Sequence, residues 1–116
     1  MITLYGIPNC DTMKKARSWL NDHGIVYTFH DYKKLGVPET ELKRWVKQLG
    51  WETVLNRNGT TWRKLDDAIK DKINQANAIK LMMENPSMVK RPVLDIEGEL
   101  LIGFSEENFG KLFTMK

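Results

Sequence analysis

The stretch Met1-Ile2-Thr3-Leu4-Tyr5-Gly6-Ile7-Pro8-Asn9-Cys10-Asp11-Thr12-Met13-Lys14-Lys15-Ala16-Arg17-Ser18-Trp19-Leu20 changes its hydrophobic period part-way along. Ahead of Gly6, Ile2 and Leu4 alternate with Thr3 and Tyr5, the period of two that marks a strand. From Asp11 onward, Met13, Ala16 and Leu20 recur at helical spacing. Ile7-Pro8-Asn9-Cys10 therefore occupies a tight turn that ends a strand and opens a helix. The one cysteine of the chain lies in that turn.

This placement has a chemical consequence. The first N–H groups of a helix have no partner within it, and the helix dipole adds partial positive charge there. A thiolate is stabilised at such a site, which lowers a cysteine pKa below the free value of about 8.5. Lys14, Lys15 and Arg17 add positive potential, while Asp11 opposes it and suits the helix start. Cys10 is thus a candidate nucleophile. The alternative is a small buried thiol, against which the polar neighbours Asn9, Asp11 and Thr12 argue.

Working outward, Gly24 predicts a left-handed cap near Asp22-His23-Gly24. Ile25 to His30, rich in β-branched and aromatic residues, reads as a second strand. A strand–helix–strand unit of this length makes the two strands parallel. Lys33 to Pro38 reads as a loop. Pro38 to Leu49 is a helix with an apolar stripe of Leu42, Trp45, Val46 and Leu49, stopped by Gly50. Trp51 to Leu55 forms a brief turn, and Asn56-Arg57-Asn58-Gly59 breaks it. Thr60 is expected to cap a helix through Trp62 and Leu65. Ile69, Ile73, Ala76, Ile79 and Met83 extend the pattern as one or two helices ending at Asn85-Pro86. Met82, Met83 and Met88 read as gap-fillers. Val93 to Ile96 and Glu99 to Gly103 flank Glu97-Gly98 as an antiparallel hairpin. Ser105 caps a last helix whose Phe109, Leu112 and Phe113 face inward.

Composition bounds the function. The 116 residues suffice for one domain with a modest core. No apolar run approaches the ~20 residues of a membrane span, and Met1-Ile2-Thr3 reads as the direct start of a strand, so no signal peptide is expected. A lone cysteine forms no internal disulfide, so the expected setting is reducing and cytoplasmic. The net charge of +3 admits a small anionic ligand and points to no nucleic-acid partner. His23 and His30 with one cysteine make no metal site. The expected state is a monomer.

The order β-α-β, helical middle, β-β-α is α/β, and it is the order of a thioredoxin-like fold with an inserted helical subdomain. Tyr5-Gly6-Ile7-Pro8-Asn9-Cys10-Asp11-Thr12, Lys15-Ala16-Arg17, Asn58-Gly59-Thr60-Thr61-Trp62-Arg63-Lys64-Leu65, Lys90-Arg91-Pro92-Val93 and Gly103-Phe104-Ser105 carry a closer match. In these residues the chain resembles the arsenate reductase (ArsC)/Spx family, in its YffB-like branch. The resemblance implies one domain over residues 1–116 with a mixed four-stranded sheet. The core is expected at about 1–31 and 89–116, with the helical insertion at about 38–86. It makes Cys10 the nucleophile, Arg91 a catalytic arginine at its pocket and Pro92 a cis-proline facing it. The cis bond would expose the Arg91 backbone as an edge that a peptide such as glutathione can pair with. Asn9, Asp11, Thr12, Arg57, Arg63 and Pro92 are the expected substrate- and glutathione-binding residues. For Arg57 and Arg63 a surface or structural ion pair is the alternative.

Two departures shape the expected chemistry. Spx-type regulators carry a second cysteine where Met13 stands, so no disulfide closes within this turn. Arsenate reductases carry a histidine ahead of the cysteine, where this chain has Tyr5-Gly6-Ile7, and an arginine roughly at Gly103. The expectation is a thiol reductase or transferase with a small thiol or disulfide substrate. It holds no bound cofactor and uses glutathione as co-substrate. The alternatives are an arsenate reductase-like oxyanion reductase and a non-enzymatic regulator that binds a partner such as RNA polymerase.

Overall fold

The strand ahead of Cys10 is the centre of the sheet. In a computed structural model, residues 2–8 and 10–114 are described. In chain order the elements are β1 (Ile2–Gly6), α1 (Asp11–Asp22), β2 (Thr28–Asp31), α2 (Tyr32–Leu35), α3 (Glu39–Leu49) and α4 (Trp51–Val54). These are followed by α5 (Thr60–Arg63), α6 (Asp67–Asp71), α7 (Gln75–Glu84), a 3-10 turn (Pro86–Met88), β3 (Val93–Ile96), β4 (Glu99–Ile102) and α8 (Glu106–Thr114). The chain divides into two units: Met1–Asp31 with Arg91–Lys116, and Tyr32–Lys90.

In the first unit the sheet order is β2-β1-β3-β4. β1 and β2 run parallel, with Tyr5 opposite His30 and Gly6 opposite Asp31. β1–β3 and β3–β4 are antiparallel, with Leu4 opposite Leu94 and Val93 opposite Ile102. This is the mixed four-stranded sheet of a thioredoxin-like fold. The parallel pair follows from the helical crossover between its strands, and the antiparallel pair β3–β4 from the two-residue turn Glu97-Gly98. Both turn residues have positive φ, 51° and 95°, and Asp95 accepts the Gly98 N–H at 2.9 Å. Leu4, Met13, Ala16, Leu20, Leu94, Ile96 and Phe109 make the core, with Cys10 half-buried at its margin. Ser105 accepts the Asn108 N–H at 3.0 Å and caps α8 as its sequence suggests.

The second strand starts three residues later than its composition predicts. Ile25 donates to Leu20 at 3.0 Å, and Gly24 sits at φ 67°. The chain is thus still closing the C-terminus of α1, and Val26 is 89% exposed.

In the second unit α3 packs against α4 and α7. Leu42, Trp45, Val46, Val54, Leu55, Ala78, Met82, Met88 and Val89 are buried there. Three expectations change. Residues 32–35 form a helical turn rather than loop, since buried Tyr32 donates to the Val89 carbonyl at 2.9 Å. Thr60 is not a cap: Gly59 precedes α5 without a side-chain cap bond, and the Asn56 side chain organises the turn by accepting the Asn58 N–H at 3.0 Å. The long apolar pattern is three helices rather than one or two. Asp66 and Asn74 each take an extended conformation and restart the helical phase. Ala78 and Met82 therefore face the core, while Ile69 is 42% exposed and Ala76 is exposed. Among the described residues no helix is long and apolar enough to cross a membrane.

Candidate thiol site at the start of the first helix

Cys10 is the residue that precedes α1, with extended backbone at φ −116° and ψ 133°. Its carbonyl accepts the Lys14 N–H at 2.9 Å. Thr12 and Met13 are the second and third helical residues, whose N–H groups lack carbonyls one turn earlier. No regular cap hydrogen bond closes on the Cys10 side chain, yet these amides act on its sulfur. Partial burial pushes the thiol pKa up. The N–H groups of Met13 and Thr12, together with the charge and hydrogen bond of Arg91, outweigh that and hold it below the ordinary thiol value.

The sheet explains how Arg91 reaches the sulfur. β3 pairs with β1, so the residues ahead of β3 come to the end of β1 where the turn begins. The Arg91–Pro92 peptide bond is cis. Pro92 is buried, and its carbonyl accepts the Gly103 N–H at 2.9 Å. The charged group acting on the sulfur is therefore Arg91 rather than the lysines of α1. Lys14 and Lys15 are exposed, and Arg17 is committed elsewhere. Its Nε donates to the Tyr27 hydroxyl at 3.2 Å, and its guanidinium lies 4.4 Å over the Phe29 ring.

The remaining site residues named from the sequence fall as follows. Asp11 is exposed and Thr12 half-buried in the first turn of α1. Asn9 lies outside the described residues. Arg57 and Arg63 belong to the helical unit. Arg57 stacks 4.9 Å over Trp51 and 6.0 Å over Trp62, and it pairs with Glu52 at 3.4 Å. Arg63 is exposed at the end of α5. Lys70 Nζ donates to the Arg63 carbonyl at 3.2 Å. Met13 is not among the site residues named from the sequence, although one of the helix-start N–H groups expected to act on the sulfur is its own. Its place three residues after a cysteine at the helix start is the signal that singles it out.

A cavity of about 540 Å³ opens along α1, lined by Lys14, Ser18, Trp19, His23, Phe104 and Glu106 among others. Trp19 and His23 stack there at 3.8 Å between ring centroids. Among the described residues no three or more His, Cys, Asp or Glu converge to hold a metal.

Comparison with known proteins extends the likeness across the chain. The ArsC family profile matches residues 5–112. The solved structure of a YffB protein is similar at 52% sequence identity and a TM-score of 0.92, over 96% of this chain and 97% of that one. The solution structure of an arsenate reductase (ArsC) related protein from Brucella melitensis is 54% identical with a TM-score of 0.79, over 97% and 93%. A global transcriptional regulator Spx from Streptococcus mutans is 30% identical over 109 residues, 92% of this chain and 79% of that protein. The matched span runs from Tyr5 in β1 into α8 and takes in both Cys10 and the arginine beside it, and the chain belongs to the ArsC family.

Proposed function

We propose that this protein is a glutathione-dependent thiol reductase or transferase with Cys10 as its single nucleophile. The observation that carries the reading is the Cys10 sulfur faced by the Thr12 and Met13 amides and by Arg91, an arrangement that favours the thiolate. In the first step the Cys10 thiolate attacks one sulfur of a disulfide substrate. A new S–S bond forms to Cys10, and the other sulfur leaves as a thiolate, stabilised by the helix-start N–H groups and Arg91. In the second step a glutathione thiolate attacks the mixed disulfide and releases Cys10 as thiolate. With no second cysteine in the chain, that second thiol comes from outside. This exchange leaves one substrate sulfur as thiolate and the other in a mixed disulfide with glutathione; a second glutathione thiolate releases that sulfur and forms oxidised glutathione, so that over both exchanges two electrons pass from two glutathiones to the substrate.

Incubation with oxidised glutathione followed by intact-mass analysis tests this. Wild type is expected to gain one glutathionyl group, which reduced glutathione then removes, while Cys10→Ser gains none. A wild-type thiol that titrates like free cysteine and gains no adduct sinks the reading. A regulator reading is favoured by one observation, the 30% identity to Spx. Capture of the same defined partner by wild type and Cys10→Ser, with no adduct formed by wild type, would replace catalysis with binding.

A further inference from the structure

Gly6 ends β1 without a side chain, and its backbone does not require one to be absent. It lies in the ladder opposite Asp31, and it is not among the glycines with positive φ, which are Gly24, Gly36, Gly50, Gly98 and Gly103. A glycine in a strand gives up packing and costs backbone entropy, so its presence in a buried position calls for a neighbour. That neighbour is Met13. A Cβ built on Gly6 would overlap the Met13 Sδ and Cε and lie 3.3 Å from its Cγ. Met13 is fully buried among Leu4, Ala16, Leu20, Leu94, Ile96 and Phe109, where close packing resists repositioning of its flexible thioether.

Met13 is also the residue whose N–H faces the Cys10 sulfur. Its side chain is thus seated on the end of the strand, while its backbone holds the thiol at the start of the helix. We propose that Gly6 and Met13 are a size-matched pair that positions the first turn of α1 under the Cys10 sulfur, so that Gly6 is a positioning residue of the thiol site. The inference rests on the reading of Cys10 as a working thiolate, and it assigns the geometry of that site to a contact on the far side of the helix backbone.

The test compares full-length wild type, Gly6→Ala and Gly6→Ala/Met13→Ala. The readout is the Cys10 pKa from thiolate ultraviolet absorbance, with the rate of alkylation by iodoacetamide at neutral pH. The lone cysteine makes both signals unambiguous. Gly6→Ala is expected to raise the pKa by about one unit and slow alkylation by about tenfold. The double variant, which restores space for the new methyl group, is expected to regain most of the wild-type value. Loss of stability alone would shift an unfolding midpoint without this rescue of the titration. If Gly6→Ala titrates like a wild type of lowered pKa, the thioether has simply turned aside and the pair is overturned while the thiolate reading stands. If Gly6→Ala does not fold, the double variant must fold and titrate like wild type, and its failure overturns the pair as well. An ordinary pKa in wild type removes both readings together.

Discussion

A sulfur drawn against a protein core loses hydration, and its anion survives only if fixed donors replace the lost water. Around Cys10 those donors are the Met13 and Thr12 amides and Arg91. The amides belong to the backbone and are removed only by proline, which also fixes the local backbone, so Arg91 is the more direct handle. Arg91→Met should raise the Cys10 pKa by about one unit and lower its alkylation rate at neutral pH by about tenfold. Arg91→Lys should recover part of that, because it keeps the charge but not the planar fork. A thiolate absorbance titration reads both. Gly103 offers the converse case. Its backbone sits at φ 84°, where an L side chain costs about 1–2 kcal/mol. Gly103→Arg, which would supply the arginine that the arsenate reductases place near here, should lower the urea midpoint and confer no arsenate-dependent oxidation of glutathione. Cys10 could be identified from the sequence because strand and helix periods meet at it. Arg57 could not be placed in the same way. Its partners Trp51, Trp62 and Glu52 are assembled by the fold, and no local pattern tells a ligand-binding guanidinium from one stacked on indoles and paired with a carboxylate.

At the scale of elements, local chemistry was readable where a turn or cap is specified by its own residues. Glu97-Gly98 and Ser105 act as their sequence indicates. The reading slipped where two local signals compete. Ile25 and Val26 have strand-forming side chains, but the closing turn of α1 takes the Ile25 N–H first. Between Thr60 and Glu84 the apolar spacing suggested continuity, whereas Asn74 interrupts it and starts α7 by accepting the Asn77 N–H at 2.9 Å. Asn74→Ala should therefore cost about 1 kcal/mol. It should lower the thermal midpoint and leave the alkylation rate of Cys10 unchanged, since α7 lies in the other unit. A change in that rate would mean that the helical unit influences the thiol.

At the scale of the molecule, the thiol links stability to pH. The folded-state pKa of Cys10 is depressed relative to the unfolded chain. The linked stabilisation is therefore fully present above the unfolded value of about 8.5 and disappears as pH falls through the folded value. Urea unfolding of wild type and Cys10→Ser across that interval should show a gap that widens with rising pH. A constant gap would mean that Cys10 ionises alike in both states. Along the sequence, the helical unit Tyr32–Lys90 separates the segment that carries β1 and β2 from the one that carries β3 and β4. Of the groups that act on the sulfur, the helix-start amides follow from the local sequence, whereas Arg91, eighty-one positions further along, is indicated only through the family resemblance.

That separation has a consequence for how the protein is made. β1 and Cys10 leave the ribosome first, whereas β3, which flanks β1, and the guanidinium that acts on the sulfur emerge only after the whole helical segment between them has been translated. The charge and hydrogen bond that Arg91 brings to the sulfur are in place only once the segment from Arg91 onward has joined the sheet.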